Sequence, residues 1–366
     1  MSRAWNIIIA VGMWAAIVAY MAAATRYSRA ERAGIDVSEV RIAVNDSSST
    51  KVISPAMVSR WIREGGFELV GRPIDEVDTR AVEEYIARRP EVARVSAWTD
   101  LNGRMTVQVS QRTPIMRIRS SNGYRFWVTG DNYILPDRGD FPAYVPVVTG
   151  NTPFPFSTAA SGSYDGMVEA AYRDFLGQYT EMEGERRSLT AQRSSKRAGI
   201  RAERAKRTKR FWSRERKNLF NEAKSRRIAE LQEEVVALDA ALAALAVKKE
   251  ALGEKEKKSQ QSHLFLTKLI NFVKSIENDG FWSAQIVQIN VLGGGTEGGT
   301  GLWKEPQLEL VPRAGDHIVL LGRLDGQEGE KLEKLKLFYL NGLWHEGWDE
   351  FCYINIKYKG QIVCTK

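Results

Sequence analysis

Residues 5–24 read WNIIIAVGMWAAIVAYMAAA, twenty positions with no charge and one polar side chain, Asn6. A helix of that length spans about 30 Å, the thickness of a bilayer's hydrocarbon core. How this stretch is read decides the fold, because a membrane span stands apart from any globular core and leaves all that follows to fold at a membrane surface. The alternatives are a cleaved signal peptide and a buried core helix. Ala22, Ala23 and Ala24 offer small residues for cleavage. Against that, the apolar run exceeds the roughly 7–15 residues of a signal core, and its basic lead-in is only Arg3 and the amino terminus. The expectation is an uncleaved transmembrane helix bounded by Trp5 and Ala24, after a short tail of residues 1–4. Orientation stays open: Arg26, Arg29 and Arg32 follow the span while Arg3 alone precedes it, which favours a cytoplasmic C-terminal part, but long domains cross regardless of nearby charge.

Beyond the span, the apolar and charged fractions, 43% and 27% of the chain, are those of a globular protein and exclude a polytopic membrane protein or a disordered chain. The net charge of +8 is local. Residues 184–262 carry 22 Lys and Arg against 11 Asp and Glu, and the remainder carries 31 against 34. Cys352 and Cys364 are the only cysteines. Neither belongs to a metal-binding spacing, and both are expected as thiols.

Working outward, residues 25–36 form a charged linker and residues 37–44 alternate as a half-buried strand. Ser54-Pro55 opens a helix with Met57, Val58, Trp61 and Ile62 on one face, stopped by Gly65-Gly66. A second helix starts near Asp78 or Thr79, presents Val82, Tyr85 and Ile86, and ends before Pro90. Strands 92–98 and 104–109 join through Asn102-Gly103. This strand-helix-helix-strand-strand order makes one small α+β domain, residues 37–113. From Pro114 to residue 366 a larger α+β domain is expected: strands at 124–128, 133–135, 145–148, 282–291, 307–311, 318–321, 353–357 and 361–365, and helices at 167–176, 264–276 and 331–340.

The basic segment interrupts this second domain. No Gly or Pro falls between Gly199 and Gly253, so a helix of up to about 80 Å is allowed. Leu231, Leu238, Leu245 and Leu252 repeat every seven residues, with Val235 and Leu242 between them and Lys249 out of place, a coiled-coil pattern. Both ends must return to the same domain. A helical hairpin is therefore expected, residues 185–227 doubling back on 228–258, with a self-associating zipper as the alternative.

Catalytic patterns are lacking. Residues 293–298, GGGTEG, satisfy GxGxxG after a strand, but no helix is expected to follow, so a hairpin loop is the reading. His263, His317 and His345 are far apart, and Glu346, Asp349 and Glu350 are not arranged as an acid/base pair. Catalytic, metal and cofactor residues are each expected to be none. A basic-zipper comparison fails on register, since Val236 stands ten residues after Arg226 where a leucine is needed, and no nucleic acid is expected.

Three blocks carry a family resemblance: residues 106–114, TVQVSQRTP; residues 126–136 and 144–150, FWVTGDNYILP and YVPVVTG; and the C-terminal segments 282–291, 308–322, 331–339 and 347–366. Their order and spacing resemble the FtsQ/DivIB family of bacterial cell-division proteins, with Gln111 in place of the usual Glu, Gly130-Asp131 near the expected turn and Val145-Pro146 at a Leu-Pro position. The resemblance implies a single transmembrane helix, a POTRA domain, and then a β domain with flanking helices, interrupted here at about 184–262 by the coiled-coil insertion. It further implies a non-catalytic scaffold of the cytoplasmic membrane and division septum. Its C-terminal domains would lie on the periplasmic side, binding FtsB/FtsL-like (DivIC-like) coiled-coil proteins and regulating the septal peptidoglycan synthase complex.

A last hairpin would present an open strand edge for such a partner. The expected partner-binding residues are Tyr353, Ile354, Asn355, Ile356, Lys357, Tyr358, Ile362 and Val363, though alternate ones of these must face the core. Readings from other classes are an envelope assembly factor acting through its POTRA domain and a cell-wall hydrolase using Glu346 or Asp349.

Overall fold

A computed structural model describes residues 3–32, 34–45, 52–137, 144–157, 159–293, 295–296, 303–343 and 350–366, without the side chains of 3–11, 27–32, 295–296 and 303. Helix α1 (Arg3–Arg32) contains the apolar stretch and runs on to Arg32, into the residues expected as a linker. The first part of that stretch, residues 5–11, has its side chains outside the described residues. From Met13 to Met21 the large apolar side chains are exposed, Trp14 at 64% and Val18 at 62%. Among the described residues no helix is long and apolar enough to cross a membrane.

The chain divides into two compact units. The first comprises Met1–Ile118, Arg125–Val147 and Ala159–Gly162; the second comprises Arg119–Tyr124, Val148–Thr158 and Ser163–Lys366. Within the first, β1 (Glu39–Asn45), α2 (Pro55–Glu64), α3 (Thr79–Ala87), β2 (Val92–Thr99) and β3 (Arg104–Gln111) form a sheet ordered β1-β3-β2, with β1 parallel and β2 antiparallel to β3. The local signals work as read. Ser54 accepts the N–H of Met57 and Asp78 that of Ala81, so each helix begins on a side-chain cap. Asp100 accepts the N–H groups of Asn102 and Arg104 in the β2–β3 turn. These backbone bonds, that of Arg104 foremost, hold its carboxyl below the usual range. Gly103 in that turn has φ +73° and would bring a Cβ within 2.5 Å of the Asp36 carbonyl, which is why only glycine fits. Val58, Ile62, Val82 and Ile86 pack on Met105, Val107 and Val109 as one core.

Gln111 is buried at the end of β3. Its Oε1 accepts the N–H of Val52 at 2.9 Å and of Ile53 at 3.1 Å, tying the loop before α2 to the end of β3. The same unit holds β4 (Pro114–Arg119), β5 (Arg125–Thr129) and β6 (Tyr133–Pro136) as neighbours in that order. There Arg117 forks onto the buried Asp137 carboxylate at 2.8 and 2.9 Å and stacks over Trp127.

The second unit is built on six neighbouring strands, β15-β14-β13-β12-β9-β7. They are β7 (Val147–Gly150), β9 (Ile286–Leu292), β12 (Gln307–Pro312), β13 (Ile318–Gly322), β14 (Tyr353–Asn355) and β15 (Val363–Thr365), with the two-residue β10 (Gly295–Thr296) and β11 (Trp303–Lys304) besides; β8 (Gly162–Ser163) follows β6 in the strand order. Gly150, at φ +87°, lets β7 end where an added Cβ would lie 2.2 Å from the Val291 carbonyl oxygen. Gly295 and Thr296 of the glycine-rich segment form β10, which pairs antiparallel with β11, while residues 294 and 297–302 lie outside the described residues.

Helices α4 (Tyr164–Ala205) and α5 (Arg214–Glu277) form the hairpin, and its geometry corrects the expectation of a turn near residue 227. The turn lies at residues 206–213 instead. The helices expected at 167–176 and 264–276 are the bases of the two arms, so the insertion and its host share continuous helices. No glycine or proline breaks the chain there. Ser213 accepts the N–H of Arg216, Arg216 lies over Trp212, and Trp212 meets Phe220 edge-on. Lys224 donates to the carbonyls of Arg204 and Lys206, satisfying the end of α4. The heptad leucines face α4: Leu231, Leu245 and Leu252 are buried with Val235, while Lys249 is exposed. Ile200 packs against Leu231 and Val235. A second correction concerns the strand expected from residue 282. Asp279 accepts the N–H groups of Phe281 and Trp282 and starts a short helix, α6 (Gly280–Gln285), so β9 begins only at Ile286.

Candidate functional site

The expected partner-binding residues lie where the sheet of the second unit ends. β13 and β14 are parallel, with Val319 opposite Ile354, so no tight hairpin can join them. The crossover is α7 (Glu328–Phe338) and the π-helical turn Tyr339–Leu343. Lys331 is buried at the start of α7 and donates to both carboxylate oxygens of Asp325 at 3.0 and 3.1 Å. Burial opposes ionisation of Asp325, yet the Lys331 ammonium and the Gln327 N–H hold its carboxyl below the ordinary value. At the other end of the crossover, Tyr339 OH and His317 Nε2 lie 2.6 Å apart in the core, and burial raises the phenol's pKa.

From there the chain returns as β14 and turns through Lys359-Gly360 into β15, which runs antiparallel with Ile354 opposite Cys364. The strands are shorter than expected: Ile356 N–H still bonds the Leu320 carbonyl of β13, but the next N–H, that of Lys357, turns to the Asn355 side chain. β15 stands at the end of the strand order. Among the described residues no strand pairs with its outer rim.

The ribbon sorts its side chains into two sets. Ile354 and Ile356 are core, 0% and 2% exposed. Their side chains fill the unit and are not open to a partner, a correction to the predicted set that follows from strand alternation. Tyr353, Tyr358 and Val363 are outward, 44%, 63% and 47% exposed. Asn355, Lys357 and Ile362 are half-buried. Lys357, Lys359 and Lys366 make this edge basic, Lys366 pairing with Glu350 at 2.6 Å and holding that carboxyl below its usual value. Cys352 and Cys364 carry thiols. An outward apolar set on an open strand rim, bordered by cations, is chemically equipped to add an extended segment of another chain through main-chain bonds.

The catalytic possibilities are thinner. Trp344, His345, Glu346, Trp348 and Asp349 lie outside the described residues. Among the described ones, no three His, Cys, Asp or Glu side chains gather as a metal site. At the base of the hairpin a cleft of about 380 Å³ is lined by Phe156, Tyr172 and Phe175 with Asp165, Glu169, Glu256 and His263 at its margins. The residue behind it, Tyr164, is missed by sequence reasoning. Its hydroxyl meets His263 Nδ1, the His263 carbonyl at 2.9 Å and Thr267 Oγ1 at 3.1 Å, and burial pushes the phenol up to about 12. This joins the first turn of α4 to α5, and a lone tyrosine after a loop offers no sequence signal for it.

Comparison with protein families matches residues 37–110 to a POTRA-like domain and residues 247–365 to the model described as FtsQ/DivIB, C-terminal related. The first match covers the β1-β3-β2 sheet and its helices. The second begins inside α5 and takes in every strand from β9 to the β15 edge, while the outer hairpin lies between the two matches. No curated protein matches the chain. The small POTRA-like sheet followed by that C-terminal region supports an FtsQ/DivIB-family protein.

Proposed function

We propose that the protein is a non-catalytic scaffold of bacterial cell division. Family membership suggests that role, and members generally interact with other division proteins. In this reading residues 5–24 hold the chain in the cytoplasmic membrane as a single pass, and the POTRA-like and sheet units lie on its outer side at the septum. The uncharged stretch, and the exposure of its large apolar side chains from Met13 to Met21, support the anchor, since such a surface is stable only in lipid or against another chain. The β15 edge takes up a strand of an FtsB/FtsL- or DivIC-like coiled-coil protein and so couples the septal peptidoglycan synthase complex to the scaffold.

The observation that carries this is the position of β15 at the end of the sheet with Tyr353, Tyr358 and Val363 turned outward. Lys357, Lys359 and Lys366 favour a partner segment with acidic residues beside its apolar ones. Deleting residues 361–366 from the full chain should abolish co-purification with the FtsB-like partner while the POTRA-like sheet stays folded. Val363→Glu, which keeps the strand but places a charge on its outer side, should weaken the same pull-down. Unchanged capture by both variants rejects the proposal.

A further inference from the structure

The far end of the hairpin serves none of these contacts. Residues 206–217, KRTKRFWSRERK, carry seven cations and one acid. Lys206 is engaged with Glu203, Lys217 with the Arg210 carbonyl and Arg216 with the Trp212 ring. Arg207, Lys209, Arg210 and Arg214 are exposed, with no ion pair among the described residues. In their midst Phe211 is 85% exposed, an apolar ring at the tip of a lever about 60 Å long, since α4 has 42 residues.

Just behind the tip, between the arms, a groove of about 450 Å³ is lined by Ile200, Val235 and Val236 together with Arg197, Arg201 and Arg204. Tip and groove therefore repeat one pattern: an apolar surface framed by cations. A dissolved polyanion is bound by charge alone and leaves Phe211 and Val236 in water. An anionic bilayer satisfies both terms, its headgroups pairing with the cations while aromatic and aliphatic side chains enter the interface.

We propose that the hairpin tip is a second membrane contact, docking on anionic lipid with Phe211 inserted at the headgroup level. The test uses the full chain in nanodiscs of neutral phosphatidylcholine, floated with vesicles of phosphatidylcholine alone or of phosphatidylcholine with phosphatidylglycerol. Incorporation of the chain into the nanodiscs reports residues 5–24; the excess retention on anionic over neutral vesicles reports the tip, so the two membrane readings fail separately. The excess should vanish at high ionic strength. Arg207→Gln, Lys209→Gln and Arg210→Gln together should reduce it about 100-fold, at the energy that a cation gains near an anionic surface. Phe211→Ser should reduce it several-fold with the salt dependence unchanged. All four positions are exposed, so the helical content of each variant should equal that of the parent. Equal binding to both kinds of vesicle, or a triple variant that binds like the parent, overturns the proposal. So does capture by double-stranded DNA or heparin without capture by anionic vesicles.

Discussion

Between Phe265 and Ile276, helix α5 buries Phe265, Leu266, Leu269, Ile270, Phe272, Val273 and Ile276 in the second unit. Between Leu231 and Leu252 the same helix buries Leu231, Val235, Leu245 and Leu252 against α4 alone. The base is helical because a core surrounds it. The outer arm depends on a narrow seam and on ion pairs across the hairpin, Arg193 and Arg197 to Asp239 at 3.0 and 3.4 Å and Lys196 to Glu234. Pairs so exposed contribute little. One continuous helix is thus expected to have a stable end and an end that opens on its own.

The comparison is broken most directly at Leu269, which is 0% exposed. Leu269→Ala should cost about 3 kcal/mol in chemical unfolding, with faster hydrogen exchange in β9 and β12 as well as in α5. Leu245→Ala in the seam should cost less, about 1–2 kcal/mol because a two-helix seam collapses around the gap. Its faster exchange should be confined to the outer arms. If Leu245→Ala also loosens β9 and β12, the arm and the base are one cooperative unit.

Where the two regions meet, pH sharpens the contrast. Burial holds the His263 pKa below 6.5. Below that value the unfolded chain therefore binds more protons than the folded one, and stability falls as pH drops through the folded-state pKa. His263→Gln keeps an acceptor without titrating, so its melting temperature should fall less than the parent's between neutral pH and about pH 5. The smallest effect is expected at the arm's surface. Asp239→Asn should cost under about 1 kcal/mol, and less in high salt; a larger, salt-resistant loss in unfolding would show that ion pairs hold the arm.

Much of the small sheet was legible because its signals are local: the Ser54 and Asp78 caps, the Asn102-Gly103 turn and the helix faces ending at Ile62 and Ile86. The leucine repeat was legible for the same reason, as a period within one helix. The turn at 206–213 was not, since it is made by Trp212, Phe220, Arg216 and Lys224 meeting across two arms with no glycine or proline to mark it. Nor was α6, where a single Asp279 cap turns residues 280–285 helical just ahead of the strand-like run from Ile286. The docking edge was half legible. Its location followed from the strand pattern, but Ile354 and Ile356 were indistinguishable by type from the outward Tyr358 and Val363.

By itself, then, the sequence determined the order of elements, the heptad seam, the concentration of positive charge in one segment and the uncharged apolar stretch near the start. These depend on spacing and on the intrinsic preferences of neighbouring residues. Only the tertiary structure decided that β14 lies parallel to β13, that β15 stands at the edge, which isoleucines of the ribbon are core, and where the hairpin turns. Each of those outcomes depends on pairing between residues far apart in the chain, where burial of one face against a distant element selects among arrangements that local preference leaves equal.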